Sequence, residues 1–245
     1  MTLQTYHGKE MIKGNLYLIP TFISDGNVDL TIPGGTLTVI RMLDHFIVEE
    51  IRSARRFLIK AGISKPIDDL IFFVFNEHSK EAVPFEFLAC TLEGKHVGLL
   101  SEAGVPCVAD PGSLIVRTAH ELGIRVIPLT GPSSILLALM ASGFNGQNFC
   151  FLGYVPADKS LRIKKIRELE RTAREKDQTQ IFIETPYRNL QLFESLISVC
   201  REDTQLCIAS SVTGPDEHIE SKPIAAWRKT KPDINKKPAI FLLYY

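Results

Sequence analysis

The chain has 245 residues, 45% hydrophobic and 23% charged, with 28 Lys and Arg against 28 Asp and Glu. The zero net charge excludes a globally basic nucleic-acid binder, although a local basic patch stays open. The longest apolar runs, such as Ile135–Ala141, fall far short of the about 20 residues that span a bilayer, and the early residues lack the apolar core of a signal peptide, so a cytoplasmic protein is expected.

Leu16–Pro20 reads as a first strand and Phe46–Glu49 as a second, followed by a helix through Arg52–Lys60. Ile71–Phe75 is a continuous apolar run, as in a strand covered on both faces. A helix over about Lys80–Leu92 is closed by Gly94. His96–Leu100 is the next strand, and Ser113–Leu122 reads as a helix ended by Gly123. Arg125–Pro128 is a strand, and Gly131-Pro132-Ser133 opens a helix over Ser134–Ser142, with Gly143 as its stop. This alternation predicts a mainly parallel sheet over residues 1–145.

The turn formers Asn145–Asn148 mark the expected domain boundary, with a second α/β domain over residues 149–245. There, strands at Phe149–Tyr154 and Gln180–Glu184 flank a charged helix, Leu161–Lys176, followed by a helix at Asn189–Val199. Gln205–Ser210 and Ala239–Tyr245 are further strands.

The common chemical fingerprints are missing. There is no G-x-G-x-x-G after the first strand, no G-x-x-x-x-G-K-[ST] and no G-x-S-x-G elbow. The five cysteines form no C-x-x-C pair and the six histidines no H-x-x-x-H pair, so neither a metal nor a disulfide framework is expected.

Two loops remain. Ser101–Gly112 is built of small and turn-forming residues between a strand and a helix. Leu129–Ser134 links the next strand to the next helix. Taken singly, each is ordinary turn chemistry: an Asp-Pro-Gly turn in one, a serine N-cap in the other. Taken together, both follow strands of one sheet, and ligands bind outside the carboxyl ends of such strands. Small residues and hydroxyls at that edge suit a nucleoside.

Ser101–Gly112 resembles the S-D-A-G-T-P-G-I-S-D-P-G loop of the tetrapyrrole methylase superfamily, and within it the branch that methylates small-subunit ribosomal RNA. Other segments agree in order. Glu49-Glu50-Ile51-Arg52 resembles A-E-D-T-R, and Asn76-Glu77-His78 resembles H-E-H. Pro128–Ser133 is similar to P-I-P-G-P-S, Phe151–Pro156 to F-x-G-F-L-P, and Glu184–Arg188 to E-S-P-H-R.

The resemblance implies two α/β domains with a cofactor cleft between them, S-adenosylmethionine as methyl donor, and a homodimer. It assigns cofactor contacts to Thr21, Glu102, Ala103, Gly104, Pro106, Val108, Ser133, Ser134, Ile183 and Ala209. It offers Glu49, Glu77, His78, Glu184 and Arg188 for the catalytic step, and for the last pair an ion pair bracing the turn at Pro186 is the structural alternative.

The departures fall mainly on the substrate side. The family's A-T-P-I-G-N loop is here Pro20–Asp25, its R-E-L-T-K is Ser210–Gly214, and its basic loop is Ala157-Asp158-Lys159. The last residues read as a strand, so the family's usual C-terminal extension is expected to be absent. Lys159, Arg162, Lys164, Lys165, Arg167, Arg171 and Arg174 crowd one helix, offering either phosphate contacts to ribosomal RNA or a solvated face paired with Glu168, Glu170 and Glu175. The expected activity is methyl transfer to ribosomal RNA. The alternatives are a small-molecule substrate such as a tetrapyrrole, or a non-catalytic binder of the same cofactor.

Overall fold

The computed structural model of the chain describes residues 12–24, 28–76 and 84–245. The chain divides into two compact units, the first made of residues 1–22 and 27–132, the second of 23–26 and 133–245.

The first unit carries strands β1 (Leu16–Ile19), β2 (His45–Val48), β3 (Ile71–Val74), β4 (Val97–Leu100) and β5 (Val126–Pro128). They form an all-parallel sheet in the order β3-β2-β4-β1-β5. Its helices are α1 (Val28–Thr31), α2 (Gly34–Met42), α3 (Ile51–Lys60), α4 (Pro84–Leu92) and α5 (Ser113–Glu121). β4 sits between β1 and β2, with Leu99 opposite Leu18 on one side and Ile47 on the other. Every residue of β2 and β4 is buried, as a parallel strand covered by helices requires.

One face packs Ile19, Phe46 and Leu100 against Ile40 of α2 and Phe57 and Leu58 of α3. The other packs Leu16, Ile47 and Leu99 against Leu88 of α4 and Ile115 and Ala119 of α5. Burying each large side chain contributes roughly 1.5–3 kcal/mol, so these two layers set the positions of the strand ends.

The predicted strand at Ile71–Phe75 forms, but it is not covered on both faces. Ile71 is 45% and Val74 38% exposed, because β3 is the last strand of the sheet. Helix α2 escaped the sequence reading, since Pro33-Gly34-Gly35 resembles a turn. In the fold Pro33 precedes the first helical turn, and Thr36, Leu37 and Ile40 make the buried face.

The second unit carries α6 (Ser134–Ser142), β6 (Phe149–Tyr154), α7 (Lys159–Lys176), β7 (Thr179–Ile183), α8 (Asn189–Val199), β8 (Gln205–Ser210), β9 (His218–Pro223), α9 (Ile224–Trp227) and β10 (Ala239–Tyr244). Its sheet runs β6-β7-β10-β8-β9, with β6 and β7 parallel and the other neighbours antiparallel. One core layer joins Ile166 and Leu169 of α7 and Leu192 and Leu196 of α8 to Phe182, Phe241 and Trp227. The Trp227 indole donates to the Leu206 carbonyl at 2.8 Å, which satisfies its buried N–H. The opposite layer packs Ala138 and Leu139 of α6 on Ile181, Cys207, Ala209 and Ile240.

That second layer explains where the chain divides. The sequence placed the boundary at Asn145–Asn148, after α6. By packing, the division falls between Pro132 and Ser133, because α6 buries its apolar face in the second sheet. No helix among the described residues is long and apolar enough to cross a membrane.

Candidate functional site

The loop after β4 is held open by its own polar groups. The Asp110 carboxylate accepts from the Cys107 amide, at 2.9 Å to one oxygen and 2.8 Å to the other, and from the Gly112 amide at 2.8 Å. Burial raises the Asp110 pKa, and those amides oppose the rise. Burial, with the Asp110 charge adding to it, pushes the Cys107 thiol up to about 12, so it stays protonated at neutral pH. Gly104, Cys107 and Ala109 all have left-handed backbone, at φ of 75°, 68° and 60°.

Thr21, at the end of β1, closes the loop from the other side. Its amide donates to the Gly104 carbonyl at 2.8 Å and its hydroxyl to the Ser101 carbonyl at 3.1 Å. The Ser101 hydroxyl in turn donates to the Gly104 carbonyl at 2.7 Å. Thr21, Ser101, Gly104 and Pro106 are buried, whereas Glu102, Ala103 and Val108 face outward. The outward surface is therefore small side chains and backbone around one carboxylate, which lets a nucleoside-sized ligand approach the main chain. Among the described residues this loop fits S-adenosylmethionine as the resemblance implies.

Beneath it lies a cavity of about 20 Å³ lined by Thr21, Val48, Glu49, Ser53, Phe57, Ser101 and Glu102, among others. That volume holds one water, not a cofactor. The cavity joins Glu49 to the loop. Glu50, the N-cap of α3, accepts from the Arg52 and Ser53 amides, each at 2.7 Å, and these bonds lower its pKa. The Ser53 hydroxyl lies 2.8 Å from Glu102 Oε1 and 3.0 Å from the Glu50 carbonyl. It has one hydrogen for two acceptors, and the shorter contact goes to the carboxylate. Sequence reading missed Ser53; its signal was the serine three residues after the capping Glu50. Glu77 and His78 lie outside the described residues.

In the second unit, Ser133 caps α6, its hydroxyl accepting from the Leu136 amide at 3.5 Å, with Ser134 as the first helical residue. Ile183 and Ala209 flank Ile240 in adjacent strands, so the three share one row of the sheet. Ala209 is fully buried, main chain included, in the layer under α6 and between β10 and β9.

Glu184 and Arg188 form the bidentate pair that the structural alternative describes. Arg188 Nε and a terminal nitrogen donate to the two Glu184 oxygens at 2.6 and 2.8 Å, and the Thr185 amide donates at 2.6 Å. The Glu184 side chain is fully buried and that of Arg188 is 36% exposed. The hydrogen bond to Glu184 raises the Arg188 pKa.

Helix α7 is less free in its charges than its composition indicates. Arg162 is buried, donating to Ser195 Oγ at 3.0 Å and the Ala157 carbonyl at 2.7 Å. Lys165 pairs with Glu168 at 2.9 Å, Arg174 with Asp203 at 3.2 Å, and Arg171 with Glu175 at 4.0 Å. Lys159, Lys164 and Arg167 are exposed with no ion pair among the described residues.

A parallel α/β sheet joined in one chain to a second mixed sheet is also the fold of the methyltransferase CobJ, whose crystal structure superposes with a TM-score of 0.60 at 17% identity, over 94% of each chain. The diphthine synthase crystal structure superposes with a TM-score of 0.67 at 16% identity, over 94% of this chain and 90% of that one. The chain belongs to the tetrapyrrole (corrin/porphyrin) methylase family, whose profile matches residues 37–226. It is 31% identical to the ribosomal RNA small subunit methyltransferase I of Escherichia coli O157:H7 over 245 residues, covering 98% of this chain and 80% of that protein. It is 34% identical to the protein of the same name from Leptospira biflexa, over 84% of this chain and 81% of that one.

Proposed function

We propose that the chain is an S-adenosylmethionine-dependent methyltransferase that modifies small-subunit ribosomal RNA at a ribose 2′-hydroxyl, as a cytoplasmic homodimer. The observation that carries the reading is the Ser101–Gly112 loop, with its left-handed backbone and its tie to Thr21, in a chain that matches proteins named for that activity over nearly its whole length. The proposed cofactor set is Thr21, Glu102, Ala103, Gly104, Pro106 and Val108, together with Ser133, Ser134, Ile183 and Ala209.

Bound S-adenosylmethionine supplies a methyl group made electrophilic by its sulfonium. The chain's own task is alignment and proton handling. Thr21 and Ser101 fix the loop main chain, so a ligand meets a surface already ordered. The Glu102 carboxylate, steadied by Ser53, presents a negative charge to an ammonium. A ribose hydroxyl is a poor nucleophile until its proton is taken. The Glu184 carboxylate is already engaged by Arg188 and the Thr185 amide. The residues this reading offers for the proton-accepting role are Glu49, Glu77 and His78, with Arg188 supplying fixed positive charge.

The test is transfer of labelled methyl to small ribosomal subunits from a strain lacking the activity. Label in the RNA, lost after Glu49→Gln or Gly104→Leu, is the expected result. Cofactor binding without label in any subunit preparation would overturn the RNA assignment.

A further inference from the structure

Two tyrosines of the second unit are not used by the proposed chemistry and are not part of its core. Tyr187 is 76% and Tyr154 58% exposed. Single exposed aromatics on a surface are ordinary. These two share one edge. Tyr154 is the last residue of β6 and pairs with Ile183, the last residue of β7. Tyr187 sits in the short 3₁₀ turn Pro186–Arg188 that follows β7. Because β6 and β7 are parallel neighbours, both residues lie at the same end of the sheet.

Fixed positive charge lies at that end too. Arg188 is adjacent to Tyr187 in sequence and is locked by its two bonds to Glu184, while its remaining N–H groups are not consumed by that pair. The exposed Lys236 is brought to the same turn by its amide, which donates to the Pro186 carbonyl at 3.2 Å. Flat π-faces beside fixed cations match unpaired RNA, whose splayed bases stack on aromatic rings while its phosphates seek positive charge.

We propose that Tyr154 and Tyr187 form a stacking platform for an unpaired nucleobase of the RNA substrate, with Arg188 and Lys236 facing the adjoining phosphate. The inference rests on the RNA reading above. It makes these tyrosines determinants of substrate binding and gives them no part in holding the cofactor.

The experiment measures binding of a single-stranded small-subunit RNA fragment by fluorescence anisotropy to the full chain and to Tyr154→Ala, Tyr187→Ala, Tyr154→Phe and Tyr187→Phe. Stacking is worth about 1–3 kcal/mol per base, so each alanine variant should bind roughly 5- to 150-fold more weakly. Each phenylalanine variant should stay within about twofold of the parent, because the π-face remains. Affinity for S-adenosylhomocysteine and the melting temperature should not move. Ultraviolet crosslinking of 4-thiouridine-containing RNA should label peptides carrying Tyr154 or Tyr187 in the parent, a readout that does not depend on any variant folding. Alanine variants that bind RNA like the parent overturn the platform and leave the RNA reading standing. Phenylalanine variants that lose as much as alanine overturn stacking in favour of the hydroxyls. A parent that binds cofactor but no RNA removes the RNA reading, and the platform with it.

Discussion

The Thr21 amide and the Gly104 carbonyl are joined by a 2.8 Å hydrogen bond, so the end of β1 holds the shape of the loop that follows β4. Gly104 is buried there at a φ of 75°. A residue with a Cβ in that conformation costs about 1–2 kcal/mol. Gly104→Leu should therefore weaken S-adenosylhomocysteine binding at least tenfold while the fold survives, as read by isothermal titration calorimetry alongside a thermal melt. Unchanged affinity would remove the loop from the cofactor site.

Gly131 is required for a different reason. A Cβ built there would lie 2.2 Å from Pro20 Cγ and 2.6 Å from Pro20 Cβ. A proline ring cannot swing aside, so the loop after β5 must move. Gly131→Ala should lower stability by about 1–3 kcal/mol, the usual range for overpacking. Urea denaturation checks it, and Gly146→Ala, where a Cβ meets nothing within 4 Å, is the control.

The Glu184–Arg188 pair predicts strong coupling. Arg188→Met leaves a fully buried carboxylate with only the Thr185 amide. Stranding a buried charge costs 3–5 kcal/mol when both partners are buried. Arg188 is partly solvated, so a loss of roughly 2 kcal/mol is expected. Adding Glu184→Gln should restore part of that loss, giving a non-additive cycle in chemical denaturation. Additive losses would mean that the pair is not a unit.

On α7 the geometry separates the cations. Lys164 and Arg167 are exposed with no ion pair among the described residues, whereas Lys165 is held by Glu168. If RNA follows this helix, Lys164→Glu with Arg167→Glu should weaken binding and flatten the dependence of log affinity on log salt by about one unit per lost contact. Lys165→Gln should do much less. Equal salt slopes for parent and double variant would leave α7 a solvated surface.

Where local chemistry settles an element, the sequence reveals it. The bounds of α6, α8, β6 and β8 follow from apolar runs between punctuating residues, and the observed spans agree with the reading. β9 was invisible because His218, Glu220 and Lys222 alternate polar groups along it, which is unlike a buried strand. Its pairing with β8 comes from the sheet, not from its own composition. The boundary after α6 was misplaced because turn residues mark a bend in the chain, whereas the division depends on where Ala138 and Leu139 are buried. At the candidate site, the loop over Ser101–Gly112 was legible from its small residues. The Ser53–Glu102 contact was not, since it joins side chains 49 residues apart.

The second unit is discontinuous: Ile23 packs in the layer formed by Ala138, Ile181 and Ile240, yet it is synthesised between two strands of the first sheet. During translation this short stretch leaves the ribosome long before any of its partners exist. The first sheet can close around β1, β2 and β4 while the stretch waits, but the second unit is complete only once β10, which follows all its other strands, slots between β7 and β8. A fragment beginning at Ser133 would lack Ile23 from its core, and a nascent chain stopped before β10 would leave the β7 and β8 edges unpaired. The second unit is therefore expected to finish folding after the first, with its unpaired β7 and β8 edges as the point of vulnerability on the ribosome.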